Sequence, residues 1–201
     1  MKKILLTSAG FLNPKIGEEF LKLVSGKDTS ILMVSYAQNK DEQFYIDKSK
    51  KELVDLGFNN IHIFNMNDNN NDTESLKNFD VIYVCGGNTF SILGKMKEIG
   101  LFDLIKKQVE KRSVFVGVSA GSIIAGENID IAGWGSEGDE NEINLKDLSG
   151  FSFTNTAVFP HFKNELKEEV EEFRKKANYP VIELTDNQAL LIIGNEEKIL
   201  E

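Results

Sequence analysis

What this chain lacks narrows it quickly. It has one cysteine, Cys85, which cannot close an intramolecular disulfide, and no C-x-x-C pair for zinc or redox work, so a reducing compartment suits it. Only two histidines, His62 and His161, and two arginines, Arg112 and Arg174, are available for chemistry that needs an imidazole or a guanidinium. No window approaches the ~18 consecutive apolar residues that cross a bilayer. The run Ile4-Leu5-Leu6 behind Lys2-Lys3 breaks at Thr7-Ser8 and is too short for the core of a secretory signal. The expected location is the cytoplasm. Positive charge is also short: 23 basic residues against 32 acidic ones leave a net charge of −9, which repels phosphate backbones and anionic lipid. Neither nucleic acid nor membrane is expected as a partner, and the acidity reads as a solvated surface.

What is present fits one α/β domain over residues 1–201. A chain of 201 residues buries roughly 70% of its unfolded surface as one domain, and 41% hydrophobic with 27% charged residues excludes disorder and fibrous classes. Short β-branched and aliphatic runs, Ile4 to Thr7, Ile31 to Val34, Ile61 to Phe64, Val81 to Val84 and Val114 to Val118, alternate with segments of helical period. That order predicts a parallel sheet sandwiched by helices. Asn65 to Asp72, rich in asparagine, predicts a surface loop; it lacks the glycine and distal glutamate of a calcium loop. A glycine-rich irregular stretch follows Gly126. The last block predicts a strand near Ser152 to Val158, an acidic helix from Asn164 to Lys176, and strands near Val181 to Leu184 and Leu190 to Ile193 that complete the sheet.

Chemistry concentrates in three places. Val114 to Val118 is an apolar strand running into G-x-S-x-G at Gly117-Val118-Ser119-Ala120-Gly121, and Ser122-Ile123-Ile124-Ala125 continues as a helix. Strand, tight turn and helix is the setting in which a serine is held as a nucleophile, with small neighbours that let the backbone turn sharply. A serine that only caps the helix gives the same pattern. The second place is Cys85-Gly86-Gly87-Asn88-Thr89-Phe90 at the carboxyl end of a strand, where α/β sheets bind ligands. Gly86 and Gly87, together with Ala120 at the start of the helix after the serine, are candidates to donate backbone N–H groups to an oxyanion, and Asn88 either holds a substrate polar group or caps the next helix. Cys85 reads as a small buried residue. The third is Phe159-Pro160-His161-Phe162, which offers the base that a serine requires. His62 lies inside an early strand and reads as a strand or surface residue.

Gly-Gly-Asn-Thr-Phe at 86–90, Val-Ser-Ala-Gly-Ser at 118–122 and Pro-His-Phe at 160–162 together resemble the signature of the peptidase E family, S51, over nearly the whole chain. The resemblance implies a flavodoxin-like sandwich similar to class I glutamine amidotransferases, with Ser119 as nucleophile and His161 as base. It implies a carboxylate as third member; Glu137 is favoured on spacing, with Asp139, Glu140, Asp130 and Asp186 as alternatives. The expected substrate is a small peptide, with no metal or cofactor, and the oligomeric state is left open. An esterase or amidase on a non-peptide acyl group, and a non-catalytic ligand-binding relative, are the rival readings. Aspartyl dipeptidases of the family carry an arginine-bearing insert after Pro-His-Phe. Here Asn164-Glu165-Leu166 runs almost directly into an acidic helix, so strict aspartyl specificity is not expected.

Overall fold

Alternation builds the central sheet. In β1 (Lys3–Thr7), Ile4 and Leu6 join the core on one face and Leu5 the core on the other, as a strand covered on both sides requires. Every residue of β2 (Ile31–Ser35), β4 (Val81–Val84) and β5 (Val114–Val118) is buried. β3 (Ile61–Asn65) is half-exposed at the sheet margin. The structure, a computed structural model, describes residues 1–68 and 72–201; the middle of the expected asparagine loop, 69–71, lies outside the described residues.

Helices cover both faces. α1 (Pro14–Leu23) starts with a proline at its first turn, and the Asn13 side chain caps it by accepting from Lys15 N–H. α2 (Lys40–Asp55) is capped in the same way by Asn39. These two helices pack Ile16, Phe20 and Leu53 on the face that carries Leu5, Met33 and Tyr83. α3 (Thr89–Glu98), α4 (Leu101–Lys111), the short α5 (Ala120–Ile124) and α6 (Lys167–Lys176) pack on the opposite face against Ile82 and Phe115. Among the described residues no helix is long and apolar enough to cross a membrane.

The strand order is β3-β2-β4-β5-β1-β8-β9. The first five are parallel, whereas β8 (Ala189–Ile193) runs antiparallel to β1, with Thr7 opposite Ala189, and β9 (Glu196–Leu200) runs antiparallel to β8. The result is a seven-stranded sheet flanked by helices.

Two expectations for the last block are corrected. The segment near 152 is not a strand: Ser152 has a left-handed backbone, φ 56°, and Phe151 stacks between Phe102 and Phe153 at 4.5 and 4.8 Å, so ring packing decides the chain path. The strand begins only at β6 (Ala157–Phe159). β6 and β7 (Val181–Glu183) do not extend the main sheet but pair with each other, parallel, in a small separate sheet. The acidic helix begins as a 3-10 turn, Asn164–Leu166, before α6. β9, a charged strand with one buried residue, gave no apolar run to find.

Candidate active site

The parallel strands end together, and the polar residues that follow them meet there. β5 stops at Val118, and Ser119 turns the chain with φ 50° and ψ −110°, a conformation costing a non-glycine residue roughly 1–3 kcal/mol. Fixed neighbours hold it. Ser119 N–H donates to the Thr7 carbonyl, 3.0 Å, and the Ser122 hydroxyl donates to the carbonyls of Thr7 and Gly117, both at 2.8 Å. The glycines are required by contact. A β-carbon on Gly117 would sit 2.5 Å from the Gly121 carbonyl oxygen, and one on Gly121 would overlap the Val84 carbonyl of β4. Gly86 lies against Ser119 on the other side.

His161 follows β6 with φ 56°. Its N–H donates to the Ser8 hydroxyl at 2.7 Å. Its ring spans two oxygens: Nε2 lies 2.8 Å from Ser119 Oγ, and Nδ1 2.7 Å from Asp186 Oδ1. Ser8 Oγ donates to the same carboxylate oxygen, 3.0 Å. Partial burial acts to raise the Asp186 pKa, but the hydrogen bonds from His161 and Ser8 and the charges of His161 and Lys163 outweigh it and hold the carboxyl below the usual carboxylate range. An ionised Asp186 accepts a hydrogen bond from Nδ1–H, which leaves Nε2 as the acceptor for the serine hydroxyl.

Two cavities meet at Ser119 and His161. One, about 280 Å³, is lined by Gly87, Trp134, Glu137, Lys163 and Leu166 among others. The other, about 490 Å³, lies toward α2 and includes Ser8, Tyr45 and Glu52. A third, about 520 Å³, opens at the amino-terminal ends of the strands around Lys3, Asp80 and Arg112, at the opposite end of the sheet from this chemistry.

Comparison with known proteins decides what the constellation belongs to: residues 4–200 match the model of peptidase family S51. The chain belongs to peptidase family S51. It is therefore a peptidase, a hydrolase. It is 28% identical to an uncharacterized peptidase of Listeria monocytogenes, over 98% of this chain and 97% of that one. It is also 27% identical to a peptidase E of Nostoc sp., over 81% of this chain and 66% of the relative. In fold it is similar to the crystal structure of a candidate peptidase E protein from Listeria monocytogenes, with a TM-score of 0.81 at 24% identity, covering 100% of this chain and 98% of that one. A peptidase from an acI-B1 Actinobacterium superposes with a TM-score of 0.74 at 17% identity, covering 100% and 87%.

The S51 chain brings some of the expected residues together and sends others elsewhere. Ser119, His161, Gly86, Gly87 and Ala120 share the site, and among the described residues no acceptor takes the backbone N–H of Gly86, Gly87 or Ala120. Asn88 does not present a free amide: its Oδ1 caps α3 by accepting from Ser91 N–H, 2.9 Å, and its Nδ2 donates to the Glu140 carbonyl, 2.9 Å. Glu137 does not reach His161. Both its carboxylate oxygens accept from Lys163 Nζ, at 2.9 and 3.0 Å. Asp139 accepts from Thr89 N–H at the start of α3, 2.8 Å, and Asp130 is an exposed residue of a 3-10 turn. Asp186, held among the alternatives, is the carboxylate on the histidine. Ser8 was not foreseen; its only signal was a polar pair, Thr7-Ser8, ending an apolar strand. Burial pushes the Cys85 thiol far above its usual range, so it stays a neutral core group. His62 is exposed on β3 beside Phe79. Arg174 is tied to Glu171 at 2.6 Å, to Glu183 and to the Val181 carbonyl.

Proposed function

We propose that this S51 peptidase hydrolyses small peptides by serine catalysis, with Ser119 as nucleophile, His161 as general base and Asp186 as the carboxylate that orients the imidazole. One observation carries the reading: the unbroken chain from Ser119 Oγ to His161 Nε2 at 2.8 Å and from His161 Nδ1 to Asp186 Oδ1 at 2.7 Å. The strained Ser119 turn acts as a nucleophile elbow, exposing the hydroxyl at the strand end.

His161 Nε2 takes the hydroxyl proton as Ser119 Oγ bonds to the scissile carbonyl carbon. The carbonyl oxygen becomes an oxyanion, and the N–H groups of Gly86, Gly87 and Ala120, which no acceptor among the described residues takes, are the candidate donors to receive it. When the oxyanion collapses, the C–N bond breaks and the imidazolium returns its proton to the departing amine. Water, deprotonated by His161, then attacks the acyl-enzyme and releases the acid and the serine. Asp186 stabilises the imidazolium in both halves without taking its proton.

A fluorophosphonate probe, followed by mass mapping, together with a screen of dipeptides and simple esters on wild type and Ser119→Ala, tests this. The expected result is one adduct on Ser119 and dipeptide hydrolysis that disappears in the variant. Ester turnover without any dipeptide turnover would replace peptides by a non-peptide acyl substrate; no adduct and no turnover would overturn the catalytic reading.

A further inference from the structure

The smaller cavity beside Ser119 has two unlike halves. Ile123, Ile131, Ala132, Phe159 and Leu166, all buried, make up the floor. Lys163 is the one lysine or arginine among the lining residues, and three carboxylates, Glu137, Asp139 and Asp186, share the wall with it. Each carboxylate already has a donor: Glu137 takes the Lys163 ammonium with both oxygens, Asp139 takes Thr89 N–H, and Asp186 takes His161 and Ser8. Neither arginine lines this cavity or its neighbour across Ser119.

We infer that this cavity receives an apolar substrate side chain flanking the scissile bond, and that Glu137 prevents Lys163 from serving as a receptor for an acidic one. The inference rests on Ser119 being the nucleophile, since that is what makes the cavity a subsite. An aliphatic side chain gains from leaving water against the apolar floor. An aspartyl or glutamyl side chain there would lose hydration and meet a wall of excess negative charge, and its only counter-ion would have to be won from Glu137. A carboxylate-selective subsite is built in the opposite sense, with a cation in want of a partner.

The test is a matrix of dipeptides, Ala-Ala, Leu-Ala, Ala-Leu, Asp-Ala and Ala-Asp, measured as kcat/KM on wild type, Ser119→Ala, Ala132→Phe and Glu137→Gln. Wild type should prefer leucine to aspartate by about tenfold or more at one of the two positions. Ala132→Phe, which fills the floor, should lose most of the gain of leucine over alanine at that position. Glu137→Gln, an exposed change that leaves the core alone, should shift the aspartate-to-leucine ratio toward aspartate by about threefold, the scale of an exposed ion pair. Should Ala132→Phe fail to fold, the Glu137→Gln ratio decides alone. Hydrolysis of no dipeptide in the matrix by wild type, or hydrolysis that survives in Ser119→Ala, sinks the serine-peptidase reading on which the inference rests. With Ser119-dependent hydrolysis of any of these dipeptides in place, aspartate equal or superior to leucine at both positions, or an unchanged ratio in Glu137→Gln, overturns the pocket inference alone.

Discussion

Asp186 and Glu137 illustrate how two carboxylates of similar chemistry receive different work from their neighbours. Asp186 accepts from a ring nitrogen and a buried hydroxyl, whereas Glu137 accepts from an ammonium. Exchanging each for its amide separates them. Asp186→Asn should lose roughly 10²-fold to 10⁴-fold in kcat, because the amide neither holds the neutral imidazole in the required tautomer nor stabilises the imidazolium, while Glu137→Gln should keep Ala-Ala turnover within about an order of magnitude. Comparable losses in both variants would show that the histidine does not depend on Asp186. Ser119→Ala should lose about 10³-fold or more with a nearly unchanged unfolding curve, since alanine keeps the same positive-φ backbone and only the hydroxyl proposed as nucleophile is removed. Asp186 also links this site to stability. Its folded pKa lies below the unfolded one, so its contribution is complete above the ordinary carboxylate value near 4 and is lost as pH falls through the lowered value. Urea midpoints of wild type and Asp186→Asn should therefore differ by a constant amount at neutral pH and draw together in acid; a gap that widens below pH 4 has the wrong sign for this account.

At the scale of elements, the turn between β5 and α5 works because two backbones touch. Gly121 lies against the Val84 carbonyl, and Gly117 against the carbonyl of Gly121, so α5 is pressed onto β4 and β5 with no side chain between. Gly121→Ala must push α5 away, an overpacking that costs roughly 1–3 kcal/mol and moves Ser119 relative to His161. The expected outcome is a lowered urea midpoint together with a fall in kcat larger than the change in KM. A variant with wild-type stability and turnover would mean that the close approach is not needed. The small β6–β7 sheet does comparable work. Parallel pairing brings the carboxyl ends of both strands together, and the Phe162 to Leu184 and Leu184 to Phe159 backbone bonds, 3.0 and 2.9 Å, bring the residues on either side of His161 to the segment before Asp186.

For the whole molecule, the charge of −9 sets a long-range bias on what arrives at the site. Raising ionic strength should increase kcat/KM for dipeptides with an acidic side chain and lower it for those with a basic one, because screening weakens repulsion and attraction alike. Equal salt dependence for both would confine charge effects to contacts inside the cavities.

What the amino-acid order determined by itself is what depends on neighbours along the chain. Short β-branched and aliphatic runs specified β1 to β5, and the small residues around Ser119 marked a strand, turn and helix whose packing tolerates nothing larger. The position of His161 after an apolar strand with a proline also needed no tertiary information. What only the tertiary structure decided is which partners meet across long separations. Ser8 and Asp186 are 178 residues apart and touch because β8 runs antiparallel to β1, so its starting end, just after Asp186, lies where β1 finishes. A carboxylate's spacing from Ser119 carries no record of that pairing. Glu137 is closer in sequence to Ser119, but the fold turns it onto Lys163, and the histidine's partner is chosen by strand direction, a property of hydrogen bonding between strands that no local pattern encodes.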